Sequence, residues 1–550
     1  MTTTIKIGIT FLIFFALDGQ ILAQTDAWFY LRARDTLFEP SFQKIKDEIR
    51  YTGSDSVLND VLSKYKISVF KKTYRNAKRE NLKKTFFVIT ESDSLLNDLL
   101  SNASHLFEYG ELIQEEDKKI FEPNDYGLTS TIGENIGARV NLDYLDFLGL
   151  PKAWYYTTGS RDIIVGIADG AVDTTDIEFK GKTTVLKKSY LSKGHGMSVS
   201  ETAAGQGDNG YGIPGICYDC SIYTTSYGQF KTFSQLVELS KAGAKVINCS
   251  WGTTRYYETA QQAIYEMLDN GTIVVAAGHN RSFLKSKGEL FYYPASYDKV
   301  IAVSSGMHKY EDYRENIIEA ENQNGKYYYA KNVRWYVGAN VGFIDNDTTQ
   351  APSRIFKRSM RNFNSEIDIL APSIGIFRYS ELALHDKIDV STGSQTSGVT
   401  PLITGTIGLM FSLYPCLPAD EVESILKITS TNIDHIKANK PFVGIYGSGM
   451  LHTGRAVEMI YQLYAEKETA YIQDQEFARW DFKITSLSKE IRIRNQKFTD
   501  KATLKLTAKN RIVIGNNTVL RPGRQGSISL KIDPALEKQC ELVLRDPSIE

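Results

Sequence analysis

Beyond its first two dozen residues the sequence contains no apolar run near the ~20 residues that a bilayer-spanning helix needs, so no transmembrane segment is expected in the mature protein. It also lacks a charge bias. The formal net charge is −1, which gives nucleic acid or an acidic membrane surface no electrostatic hold. No second Cys/His pair lies near "CYDC" (217–220), and a four-ligand zinc site would need one. Histidine is scarce, 7 in 550 residues, so one with unusual neighbours stands out. No internal repeat is evident. The length alone asks for more than one domain, because a single core stops growing well below it.

What is present begins with "MTTTIKIGITFLIFFALDGQILAQ". An early Lys6, an apolar stretch from Ile7 to Leu17 and a small-residue ending at Ala23 form a secretory signal peptide over 1–23, cut before Gln24. The protein is therefore expected to be secreted, to the extracellular or periplasmic side. Five cysteines follow, an odd count that leaves at least one thiol unpaired or intermolecular. In an oxidising compartment Cys217 and Cys220 favour a local disulfide. Cys249, inside "KVINCS", reads as a small core residue.

Residues 24–125 read strand, helix, strand, strand, helix, strand, as in "AWFYLRA", "DSVLNDVLSKY", "KISVFKKTY", "KTFFVIT", "SDSLLNDLLSN" and "HLFEYGELIQ". That order fits a small α+β, ferredoxin-like unit. A polar stretch without periodicity then reads as a linker. From 126 to 465 near-continuous apolar strands ("DIIVGIAD", "AKVINCSWG", "TIVVAAG", "KVIAVSS") alternate with amphipathic helices. This predicts a parallel sheet with helices on both faces, its working residues beyond the strands' carboxyl ends. A Tyr-, Asn- and Asp-rich stretch at about 306–364 interrupts that rhythm and reads as an insertion. Residues 466–550 alternate with period two between turn signals and predict a small all-β domain.

Three places could carry chemistry. "DIIVGIADGAVD" ends an apolar strand in Asp169, which alone reads equally well as a turn cap. "SKGHGMSVSETAAG" sets His195 between two glycines at a helix entrance. "STGSQTSGVTPLITGTIGLM" carries Ser391, Ser394 and Ser397 ahead of an apolar run. Pro401 is tolerated only near a helix start, so Ser397 should sit at that start, where free N–H groups and the helix dipole favour negative charge. An ordinary capping serine would look the same.

Taken together, Asp, His and Ser in this order resemble the subtilases, the subtilisin-like serine proteases. The resemblance runs from about Leu145 to Val457 and includes "INCSWG", "VVAAGHN", "YPASYDKVIAV", "IDILAPS" and "GSGMLHTGRAV". It implies a subtilisin-like α/β fold and a serine endopeptidase made as a zymogen. Ser397 would be the nucleophile, His195 the acid–base, and Asp169 the group that orients the imidazole. The oxyanion would meet the Ser397 N–H and an amide donor in "AAGHN", with Asn280 preferred and His279 the other candidate. Ser226, Tyr227 and Gly228, with Ser250, Trp251 and Gly252, resemble the edges that bind extended substrate. The implied partners are a protein or peptide substrate and the chain's own propeptide (24–125), removed within 112–141. No redox or nucleotide cofactor is required. Calcium is the one candidate metal, at "GDNGYG" (Asp208, Asn209) or "DND" (Asp345, Asn346, Asp347), both equally readable as polar turns. The sequence departs from the family at Gly170, Met197-Ser198 and Gln395-Thr396. Those departures leave a rival, a catalytically impaired subtilase-fold binding protein.

Overall fold

The computed structural model describes residues 26–45, 48–73, 79–114, 118–126, 142–191, 193–285, 289–373 and 395–546. The expected signal peptide (1–23), most of the expected linker, and Ser391 and Ser394 lie outside the described residues. The chain divides into two compact units, 1–118 and 119–550. In the first, four antiparallel strands stand in the order Ile67–Lys72, Thr85–Thr90, Ala27–Ala33, Phe107–Leu112. Helices Ser56–Leu62 and Ser94–Asn102 cover one face, burying Leu58, Leu95 and Leu99 with Phe29 and Leu31. Asp55 starts the first helix by accepting the Leu58 N–H at 2.8 Å. This is the ferredoxin-like order read from the sequence. Residues 119–126 pack with the second unit, where the Phe121 N–H meets the Pro151 carbonyl and Tyr126 stands edge-on to Trp154.

The second unit is built on a seven-stranded parallel sheet, ordered Ile369–Pro372, Val300–Gly306, Ile273–Ala277, Ala244–Cys249, Ile164–Asp169, Ser221–Ser226, Thr183–Val185. Alternate residues of each strand face opposite cores. Val165, Ile167, Val246 and Val275 pack with helices Lys193–Ala204, Thr396–Leu413 and Thr453–Tyr464. Ala168, Ile247, Val274 and Ala276 pack with Ser234–Lys241 and Glu258–Asp269. Burial on both faces explains why the strands read as continuous apolar runs. Among the described helices, Thr396–Leu413 is long and apolar enough to cross a membrane, and it is buried throughout within this unit. The insertion forms its own antiparallel sheet, Ile317–Asn322, Gly325–Lys331, Asn340–Gly342 and Arg354–Ile355.

The C-terminal domain is all-β as expected, but it contains the repeat that the sequence does not reveal. Three parallel three-stranded sheets form the three faces of one solenoid, each of its three rungs giving one strand to each face. Thr469 pairs with Glu490, and Ile491 with Ile512, a spacing of 21 residues on that face. On the third face Thr503 pairs with Ser527 instead, because the last corner is longer. Phe477, Phe482 and Phe498 stack inside, with ring centres 4.5 to 5.6 Å apart. Cys217 and Cys220 form the local disulfide, and Cys249 is a buried free thiol. A second disulfide, Cys416–Cys540, spans 124 residues and ties the chain beyond the solenoid back to the parallel-sheet body.

The solenoid's first rung meets helix Ala419–Thr429 through Glu421, whose carboxylate accepts the Thr485 N–H at 3.0 Å and the Thr485 hydroxyl at 2.6 Å. Burial outweighs these bonds and pushes the carboxyl up from 4.5 to about 7. The folded state therefore holds a proton that the unfolded chain has released. That contribution is full below pH 4.5 and is lost as the pH rises through about 7. Glu421→Gln should flatten the loss of stability between pH 5 and 8 relative to wild type, by on the order of 2–3 kcal/mol, and so flatten the fall in Tm. Differential scanning fluorimetry across that range checks it, and parallel profiles would contradict it.

Candidate active site

From the Ile164–Asp169 strand the chain passes to Thr183–Val185 and then Ser221–Ser226 on one side, before crossing to Ala244–Cys249 on the other. Such a reversal opens a crevice at the carboxyl ends, and Asp169 ends the strand where it occurs. Asp169 is buried, and its Oδ1 accepts His195 Nδ1–H at 2.7 Å and the Gly170 N–H at 2.6 Å. An ionised carboxylate can only accept, so the imidazole proton sits on Nδ1 and Nε2 keeps its lone pair. The His195 side chain is 46% exposed, so that nitrogen belongs to an accessible ring. Gly196 makes the approach feasible, because a Cβ there would stand 2.3 Å from the Gly170 carbonyl oxygen. Gly170, one of the departures from the family, thus supplies an amide to the carboxylate.

Ser397 is the second residue of helix Thr396–Leu413. Pro401 lies in the second turn, slightly deeper than the first-turn position expected from the sequence. With no N–H, Pro401 leaves the Ser397 carbonyl without its helical donor. The Ser250 hydroxyl takes that place at 3.0 Å, and the Ser397 hydroxyl donates in return to the Ser250 carbonyl at 3.1 Å. Ser250 directly follows the strand beside Asp169, so this reciprocal pair sets the helix start against the same sheet edge. Gly405 permits the helix to run close below, where a Cβ would meet the Ala203 carbonyl at 2.5 Å.

Asn280 stands on the other side of the helix start. Its Oδ1 accepts the Thr396 N–H at 2.7 Å and the Thr396 hydroxyl at 2.9 Å, so the amide's orientation is set and Nδ2 remains as donor. Thr396, noted in the sequence only as a departure from the family, is therefore a site residue; its contact with Asn280 spans 116 positions. His279 accepts the Arg281 N–H on Nδ1 at 2.9 Å, which places its own proton on Nε2. Burial, assisted by Arg281, holds this imidazole below its ordinary pKa.

The two presumed edges lie at the same rim. Ser226 pairs with Asp169 across the sheet, Tyr227 is exposed and stands edge-on to Trp251, and the Gly228 carbonyl accepts from Gln235. The Trp251 indole is buried and donates to the Ala168 carbonyl. The Gly252 carbonyl is already taken by the Tyr292 hydroxyl at 2.7 Å, and the Tyr292 ring stands 4.2 Å from His279. Tyr292 thus bridges the 250–252 edge and the 278–280 turn, a contact with no local sequence signal.

Near "GDNGYG", Asp125 and Glu178 are buried, and both Asp125 oxygens and Glu178 Oε2 lack hydrogen-bond partners. The Asp208 and Asn209 amides lower the Asp125 pKa without closing a hydrogen bond on it. Desolvation dominates, raising Asp125 to about 6; desolvation, then the Glu201 charge, raises Glu178 to about 10. Among the described residues no three His, Cys, Asp or Glu side chains are grouped to hold a metal alone. An ion here would need main-chain and amide oxygens as well. At "DND" the Asn346 and Asp347 side chains are occupied by turn hydrogen bonds from Tyr328, Thr349 and Gln350.

Residues 160–449 match the Subtilase family, more than half of the chain. The chain is 24% identical over 309 residues to subtilisin DY of Bacillus licheniformis, covering 54% of this chain and 91% of that protein. It is 23% identical over 446 residues to the calcium-dependent protease of Trichormus variabilis, covering 72% of this chain and 60% of that one. Among solved structures, fervidolysin from Fervidobacterium pennivorans, a keratinolytic enzyme related to subtilisin, is 15% identical. It has a TM-score of 0.39, with 79% of this chain and 61% of that one covered. With an acid, an imidazole and a helix-borne serine along one sheet edge, and a family match spanning all three, the chain belongs to the subtilase family of subtilisin-like serine proteases.

Proposed function

We propose that the protein is an exported serine endopeptidase, made as a zymogen, that hydrolyses peptide bonds through Ser397, His195 and Asp169. The observation that carries this reading is the bond from His195 Nδ1 to the buried Asp169 at 2.7 Å. It leaves Nε2 basic beside a sheet edge that also holds the serine. To react, Ser397 rotates from the Ser250 carbonyl towards Nε2, gives up its proton and attacks the scissile carbonyl. The oxyanion is met by the Ser397 N–H and Asn280 Nδ2–H. His195 then protonates the leaving amine, and water repeats the sequence on the acyl-enzyme. Asp169 keeps the tautomer and stabilises the imidazolium. Extended substrate runs along 226–228 and 250–252.

The 26–118 unit is the folded part of the propeptide, and it inhibits its own protease until it is cut away. Calcium is the metal that fits best, at Asp125, Glu178 and the 208–209 loop, because both Asp125 oxygens and Glu178 Oε2 are buried without a hydrogen-bond partner and would gain from a positive charge. When bound, the ion supplies that charge and no step of catalysis. Beside the sequence departures, the present bond of the Ser397 hydroxyl to the Ser250 carbonyl favours the rival, a catalytically impaired binding protein.

A fluorophosphonate probe separates the two readings. Processed wild type should label and Ser397→Ala should not; unlabelled wild type would favour the binder. N-terminal sequencing of secreted protein should find the mature chain starting within 112–141, whereas a start at Gln24 would remove the zymogen claim. Calcium should raise Tm more at pH 8 than at pH 5, since metal binding competes with the raised protonation of Asp125 and Glu178. Glu178→Gln should lose most of that response. A Tm indifferent to calcium and chelator at both pH values would refute the site.

A further inference from the structure

Near its end the 306–364 insertion carries two consecutive residues, Arg361 and Asn362, that grip the turn carrying Asn280. Asn362 is fully buried, and its Nδ2 donates to the Gly278 carbonyl at 2.7 Å and the Leu290 carbonyl at 2.9 Å. Arg361 Nη1 donates to the Asn280 carbonyl at 2.8 Å. The grip is itself anchored in the sheet, because the Asn362 carbonyl accepts the Ser304 hydroxyl at 3.0 Å from the Val300–Gly306 strand.

Between the two gripped carbonyls lies His279, with φ of 94°. That value is beyond the ordinary left-handed well, and for a residue that carries a Cβ it stores strain. Strain of this kind persists only where the surroundings over-determine the backbone. Arg361 and Asn362 supply that determination on either side of the strained residue. Thr396 meanwhile holds the Asn280 side chain. Main chain and side chain of Asn280 are thus fixed by different elements, and the amide N–H₂ is what remains to point at the reacting carbonyl.

We propose that the insertion is part of the oxyanion machinery: Arg361 is a positioning residue that, with Asn362, holds the 278–280 turn so that Asn280 presents its amide to the developing charge. This rests on the reading of Asn280 as the oxyanion donor. Donors of this type act through preorganisation, so a displacement well under 1 Å loses rate while barely changing substrate binding. If the insertion only covered the core, loss of the Arg361 bond would lower Tm and leave turnover alone.

The test is a double-mutant cycle on the processed full-length enzyme with a chromogenic peptide amide. Arg361→Met keeps the aliphatic stem and removes the donor. It should lower kcat about 10-fold or more with KM changed less than about 2-fold, and Arg361→Lys should recover a substantial part of the loss. In an Asn280→Ala background the same Arg361→Met change should cost less than about 2-fold, because the donor it positions is gone. Arg361→Gln, run through the same cycle, guards against a folding defect particular to one variant. An unchanged kcat, or an equal loss in both backgrounds, would overturn the proposal. A wild type without turnover would instead overturn the reading of the site, and this inference with it.

Discussion

The Thr396–Leu413 helix is buried along its whole length, and the site's position depends on how that burial is made tolerable. Hydroxyls inside a core are costly unless bonded. Here Thr400, Thr404, Thr406 and Ser412 each donate to the carbonyl one turn back, at 2.8 to 3.1 Å. The exception is at the start, where Pro401 frees the Ser397 carbonyl and Ser250 reaches over to bond it. The same gap in the helical ladder that would ordinarily weaken a helix becomes its attachment to the sheet. The serine is thereby held at one place on the strand edge that Asp169 also occupies.

Charge is distributed with comparable economy around that edge. One buried carboxylate orients an imidazole, and the buried Cys249 thiol nearby is driven well above its ordinary pKa by burial, with the Asp169 charge adding to it. A buried thiol held neutral there is inert. On the far side, the turn bearing Asn280 is strained and clamped, while its side chain is fixed by the residue just before the serine. The geometry of the candidate site is therefore assembled from pieces that brace one another: an insertion bracing a turn, the turn's asparagine bracing the helix start, and the helix start bracing the strand edge.

Much of this was legible in the sequence because its signals are local. The apolar strand ending in Asp169, the glycines flanking His195, and the proline following Ser397 each report a backbone constraint within a few residues. The parallel sheet was legible for the same reason, since strands buried on both faces must be apolar throughout. What the sequence concealed is long-range. Thr396 and Asn280, or Tyr292 and Gly252, meet only in the folded chain. The Cys416–Cys540 pairing cannot be singled out by spacing. The solenoid was hidden because its strands are short and its corners differ in length, so residues one rung apart shift from 21 positions to more. Period-two patterning identifies a strand but not its parallel neighbour.

The central claim is that Asp169, His195 and Ser397 form one hydrogen-bonded line once the serine turns from Ser250. The most direct measurement is a crystal structure of the processed enzyme trapped with a peptidyl boronate. The account predicts boron bonded to Ser397 Oγ, His195 Nε2 within hydrogen-bond reach of the adduct, and a boronate oxygen against Asn280 Nδ2 and the Ser397 N–H. A boronate bonded elsewhere, or one on Ser397 whose oxygens meet neither donor, would contradict it.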